Sequence, residues 1–385
     1  MTPHEPSPVV RRLRAGSLRP AVVHGRTPGT IMLSSGDPDF ATPDPVLRAA
    51  TAAMDEGRTG YGDLTGDPEL RETAAAVTSA VAGYRYTAAE VLVTNGASSG
   101  AHAALTATVS PGDRVLLLDP TYSLFEAVVQ MAGGVPVHVP LDPAGHLDLE
   151  AIERQLPGCR LLVLVNPSNP TGAVFTRDEL TQLAGLTARH GVVVVSDEVC
   201  DRFTFDGRTF ASAVDIDQWR DRLIYCQSMS KTSSMTGWRV GYTIAPAPLI
   251  DDIALVHRNT LTSVNTIAQR AALAALRTGL PWTSDMSEIL QRRRDLVIEH
   301  VRAIPGLSAD VPEGGLFAFP RYEHRLGSVD VTRELALRGV LVRAGREFGP
   351  SGEGHLRLSL TASESVLANG LDRIADYFAR PRSPR

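Results

Sequence analysis

A chain of 385 residues with 43% hydrophobic residues is long enough to bury a large core and to form two domains. Its formal net charge of −5 at pH 7 argues against a general nucleic-acid binder. Cys159, Cys200 and Cys226 are odd in number and lack metal-ligand spacing, which suits a reducing cytoplasm and predicts no metal site. The basic stretch Arg11-Arg12-Leu13-Arg14 is followed by no apolar run of signal-peptide or membrane-span length, so a cytoplasmic protein without a membrane partner is expected.

Short apolar runs alternate with helical periodicity along most of the chain, the signature of an α/β sheet covered on both faces. Tyr61-Gly62-Asp63 reads as a turn before a helix over 68–81. A strand over 91–94 leads through Gly96-Ala97-Ser98 into a helix over 98–109. The backbone N–H groups at that helix start and the Ser98 hydroxyl suit a phosphate, although the spacing is not that of a dinucleotide loop. Strands come next at 114–119 and 135–139, with Tyr122 just past the first, where a tyrosine usually packs.

The runs at 160–166 and 192–196 are apolar without alternation and so predict strands buried on both faces. The first enters the rigid loop Asn166-Pro167-Ser168-Asn169-Pro170-Thr171-Gly172, and a helix over 177–190 separates the two. The second ends at Asp197, a carboxylate placed either to cap the next segment or to pair with a protonated ring nitrogen. Strands at 223–228 and 239–244 complete a mostly parallel seven-stranded sheet, and a helix over 265–277 comes after it. Past about residue 284 a long charged helix runs through Gln291-Arg292-Arg293-Arg294-Asp295, whose arginines read as a solvated face. A strand over 355–360 alternates so that Arg357 shares a face with His355 and Ser359, and a helix over 363–378 closes the pattern. The expected division is a large domain over 45–284 and a smaller α+β domain from 1–44 and 285–385, with 380–385 disordered.

Lys231 is the only lysine among thirty-eight Lys and Arg residues. Arginine serves equally for charge but cannot be deprotonated to attack a carbonyl, whereas lysine forms Schiff bases. Around it lie Ser228, Ser230, Thr232, Ser233 and Ser234, with Arg239 eight positions on. An amine beside hydroxyls and a guanidinium fork suits a phosphorylated aldehyde.

This segment, with the Asn166–Gly172 loop and Asp197, resembles the class I/II aminotransferases, fold-type I pyridoxal-phosphate enzymes of the aspartate aminotransferase type, from about Ile31 to Phe378. The resemblance implies that Lys231 carries the cofactor as a Schiff base and moves the α-proton of an amino acid. It implies that Ala97, Ser98, Ser228, Ser230 and Arg239 hold the phosphate, that Tyr122 stacks on the ring, that Asn169 meets the 3-hydroxyl and that Asp197 meets the ring nitrogen. Gly36 would lie against the substrate, Arg357 would grip its α-carboxylate, and Tyr61 would reach the cofactor of a second subunit, so a homodimer is expected. The implied reaction passes an amino group from an amino acid to a keto acid. A lyase, cyclase or decarboxylating enzyme on the same scaffold is the alternative, raised by Cys200, which stands where most relatives carry a tyrosine. A DNA-binding regulator is disfavoured, since about thirty residues precede the pattern.

Overall fold

The computed structural model describes residues 5–16 and 29–379. Seven strands form the central sheet: β1 Val91–Thr94, β2 Arg114–Asp119, β3 Val135–Pro140, β4 Cys159–Val165, β5 Val193–Asp197, β6 Leu223–Ser228 and β7 Gly241–Ile244. Their order is β1-β7-β6-β5-β4-β2-β3, and only β7 runs antiparallel to its neighbours. The unbroken apolar runs result from this arrangement. Leu162 and Leu164 of β4 join one buried cluster while Leu161 and Val163 join another on the opposite face, and all four are fully buried. A strand with packing on both faces has no solvent side on which to place a polar residue.

Three of the helices packed on the sheet have an identifiable start. Asp67 caps Pro68–Ala82 by accepting from the N–H groups of Glu69 at 2.9 Å and Leu70 at 3.3 Å, with Pro68 in the first turn. Thr176 and Glu179 form a reciprocal capping box at Arg177–Arg189. The helix Ala97–Thr108 begins directly after Gly96, whose φ of +78° turns the chain out of β1.

A separate apolar cluster gathers Leu33, Phe203, Leu290, Leu316, Leu358 and Ile374 around Thr283–Ala303 and Glu364–Ala379. Here the structure corrects the expectation for the arginine run. Arg293 and Arg294 are buried rather than solvated, and only Arg292 lies on the exposed side. Arg293 donates two bonds to Asp39, at 2.8 and 3.0 Å, and Arg294 donates two to Asp206, at 2.6 and 2.9 Å. A third bond from Arg294 reaches the Pro312 carbonyl at 3.1 Å. The forks tie this helix to chain segments far away in sequence, and bidentate pairing offsets the cost of burying the guanidiniums.

Smaller differences have local causes. Arg239 is not part of a strand: its φ of +55° places it in a left-handed turn, and β7 starts at Gly241. The strand expected at 355–360 is Leu356–Ser359, and all four of its residues are buried, so its alternation does not separate a wet face from a dry one. Residues 380–385, expected to be disordered, lie outside the described residues. Among the described residues no helix is long and apolar enough to cross a membrane, and no group of three or more His, Cys, Asp or Glu could hold a metal ion.

Candidate active site

The ends of β4, β5 and β6, the start of the helix after β1, and the loop carrying Gly36 converge on one cavity of about 390 Å³. Open α/β sheets place ligands at such strand ends. Eleven of the twelve residues singled out from the sequence line it: Gly36, Ala97, Ser98, Tyr122, Asn169, Asp197, Ser228, Ser230, Lys231, Arg239 and Arg357. Tyr61 does not. It is 89% exposed, beside a surface depression shared with Gly60, Asn95 and Thr266.

The half-buried Lys231 lies in the short helix Met229–Thr232 and donates from Nζ to the carbonyl of Gly36. Burial lowers its pKa; Asp37 opposes the shift, while the Arg357 and Arg239 cations add to it. Asp197 ends β5 and is buried, with the Val199 N–H 3.4 Å from one carboxyl oxygen. Burial pushes its pKa up to about 6, against the pull of that N–H and of Lys231. Behind it Glu198 is fully buried and accepts from Ser196 and Ala213 at 2.8 Å and from Ser212 at 2.5 Å, yet burial still raises its pKa to about 7. The Cys200 thiol lines the cavity, and burial pushes its pKa up to about 12, so it stands there as a neutral S–H.

One end of the cavity is a cradle of donors. Ser228 Oγ donates to Ser230 Oγ at 2.8 Å and also lies 3.1 Å from the Val240 carbonyl. Arg239 is held by its bonds to the Thr236 carbonyl at 2.9 Å and the Asn95 carbonyl at 3.3 Å, and its Nη1 lies 3.5 Å from Ser230 Oγ. A Cβ on Gly96 would stand 2.6 Å from Arg239 Nη2, so glycine is what lets the guanidinium lie over the helix start. Hydroxyls, a guanidinium and unpaired helix N–H groups in one place suit a phosphate, and the buried Asp197 suits a protonated ring nitrogen. The residues present thus fit pyridoxal phosphate.

At the other end Arg357 donates to Ser34 O at 2.7 Å and to Asn169 Oδ1 at 3.1 Å, with its guanidinium carbon 3.8 Å from the centre of the Phe317 ring. Phe317 also confines Gly36, where a Cβ would approach its Cζ to 2.6 Å. Thr236 donates to Asp37 at 2.5 Å, fastening the Gly36 loop to the lysine segment. Phe317, Asp37, Thr236 and Arg343 also line the cavity, and sequence reasoning does not single them out. Arg343 lies on a short strand that pairs with the Arg357 strand, and nothing local in the sequence marks that register.

A family model described as aminotransferase class I and II matches residues 28–374. The arginine–pyruvate transaminase of Pseudomonas aeruginosa is 35% identical over 350 residues, covering 90% of this chain and 89% of the relative. A probable N-acetyl-LL-diaminopimelate aminotransferase of Bacillus subtilis is 34% identical over 358 residues, with 91% and 90% covered. Among solved structures, a mutant aspartate aminotransferase of Thermus thermophilus superposes with a TM-score of 0.86 at 33% identity, covering 97% of this chain and 99% of its own. An aromatic aminotransferase of Pyrococcus horikoshii gives 0.87 at 31%, covering 96% and 98%. With the sheet order, the lysine at the strand ends and these likenesses in agreement, the chain belongs to the class I and II aminotransferase family of pyridoxal-phosphate enzymes.

Proposed function

We propose that this aminotransferase works through Lys231 as its sole catalytic amine and as a homodimer in the cytoplasm. The observation that carries the reading is the chain's only lysine, half-buried and shifted toward its neutral form, in the cavity that gathers the other site residues. Pyridoxal phosphate, when bound, supplies an electrophilic aldehyde and a ring able to take up the electrons left at an amino acid's α-carbon.

The chain's own residues do the rest. Lys231 would hold the cofactor covalently through Nζ and, when its amine is free, would carry the α-proton; burial shifts that amine toward the neutral form a base requires. Asp197 holds a proton on the ring nitrogen, a role for which a buried carboxylate beside a developing cation is suited. Ser98, Ser228, Ser230 and Arg239, with the N–H of Ala97, anchor the phosphate. Tyr122 covers one face of the ring, and Asn169 orients the 3-hydroxyl. Arg357 is already held by Asn169 and Ser34 and offers its fork to the α-carboxylate. Residues 45–284 serve as the cofactor domain, and 1–44 with 285–385 as the smaller domain that brings Arg357. The exposed Tyr61 serves the partner subunit's cofactor, which would give this large aromatic side chain the cover it lacks in one chain.

The test mixes the holoenzyme with single amino acids, arginine and aspartate first because similar proteins are named for them. Mass spectrometry should find the matching keto acid and the aminated cofactor after one turnover, and Lys231→Ala should yield neither. An eliminated or decarboxylated product with the cofactor returned unchanged would overturn the reading in favour of lyase chemistry.

A further inference from the structure

Arg343 is a second arginine at the carboxylate end of the cavity, and none of the roles assigned to Lys231, Asp197 and Arg357 falls to it. It lies on the strand Arg343–Ala344, directly opposite Arg357 in an antiparallel pair, so the two side chains share one face of the ladder. Both guanidiniums approach the Phe348 ring, at 4.8 Å for Arg357 and 5.9 Å for Arg343. Like charges opposite each other are unfavourable, and Glu347 is the counter-charge that makes the pairing tolerable. Nε of Arg343 donates to Glu347 Oε2 at 2.6 Å and Nη2 bonds the same oxygen, while Oε1 accepts from the Ala344 N–H at 3.3 Å. Glu347 is buried and does not line the cavity, whereas Arg343 does.

The carboxylate thus takes one edge of the guanidinium and leaves the other. Nη1 of Arg343 has no partner among the described residues, and a guanidinium carries five N–H donors in a fixed plane. A fork locked by a buried carboxylate, with an unused edge at the end of the cavity where Arg357 is set for an α-carboxylate, is preorganised for a second anion.

We propose that Arg343 is a specificity-determining residue that binds an anionic group at the far end of the substrate's side chain, a carboxylate or a phosphate-like group. This assignment rests on the reading of Arg357 as the α-carboxylate site. Glu347 acts as a positioning residue: it fixes the plane of the fork and offsets part of its charge, so that neutral side chains are not excluded by an unpaired cation.

Binding of unreactive ligands to the holoenzyme separates this proposal from the reaction itself. Butyrate, succinate and 3-phosphonopropionate are titrated calorimetrically against the wild type, Arg343→Met and the double variant Arg343→Met/Glu347→Met. The double variant avoids stranding a buried carboxylate. The wild type should bind a doubly anionic ligand roughly 10- to 100-fold more tightly than butyrate, and both variants should lose that preference while holding butyrate within about threefold. Which of succinate and the phosphonate binds more tightly identifies the anion. Equal binding of all three by the wild type, or a uniform loss in the variants, would overturn the proposal. Failure of every amino acid to transaminate would instead count against the proposed function while leaving this comparison readable.

Discussion

Cys200 faces the same cavity as Lys231 and Asn169 with a neutral thiol, and a thiol is a weak hydrogen-bond donor. A tyrosine hydroxyl at this position would add one ordinary hydrogen bond to the cofactor's ring oxygen. Cys200→Tyr should therefore move the pH midpoint of the bound cofactor's absorbance by about one pKa unit, about 1.4 kcal/mol and the size of one such bond. Superimposable titrations would leave Cys200 as a space-filling residue. Gly96 supports a second argument at this scale. Its backbone is left-handed and its missing Cβ leaves room for Arg239, itself held in a left-handed turn by two carbonyls. Gly96→Ala should weaken binding of pyridoxal phosphate by about tenfold or more, measured by equilibrium titration of the apoprotein; unchanged affinity would remove Arg239 from the phosphate site.

At the scale of single elements, β4 delivers the Asn166–Gly172 loop to the cavity, and its grip on both faces of the sheet fixes where that loop starts. Leu162→Ala should cost roughly 2–5 kcal/mol in chemical denaturation, because a fully buried residue between strands leaves a cavity behind. Val193→Ala, at the partly exposed start of β5, should cost less. The same strands show what is legible in the sequence. Runs such as Leu161 to Val165 announce themselves because burial on both faces removes every polar alternative, and the site residues at their ends come with chain order. The arginine run reads as solvated because its partners, Asp39 and Asp206, lie 254 and 88 positions away, and a helix face with charges at every position has no local mark of burial. Arg239 reads as part of a strand because a left-handed arginine has no signature of its own. Arg343 carries no mark because a two-residue strand has too little periodicity to reveal its face or its partner.

For the whole molecule, four carboxyls in the interior around the site have raised pKa values, each mainly through burial: Asp197 and Asp201 at about 6, Glu198 at about 7, and Glu347. A raised carboxyl pKa means that the folded apoprotein binds more protons than the unfolded chain between roughly pH 4 and pH 7. Stability from these groups is therefore full at the acid end of that window and falls as pH rises through it. Urea denaturation of the apoprotein should show this decline, and Glu198→Gln should remove part of it. A flat profile in both proteins would mean that relaxation around the carboxylates absorbs the cost. Pyridoxal phosphate should lessen the decline, since a ring cation beside Asp197 favours its charged form.

The solitary lysine also turns the protein into its own reporter. A protease that cuts after lysine has a single target in this sequence, at Lys231, and that target is half-buried, fastened to Gly36 by its own side chain. Digestion of the unfolded chain should give two fragments divided at that bond, while reductive capture of the cofactor on the amine beforehand should leave the chain whole. The ratio of cut to uncut polypeptide would then count occupied sites directly, without a spectrum, a substrate or any knowledge of the donor.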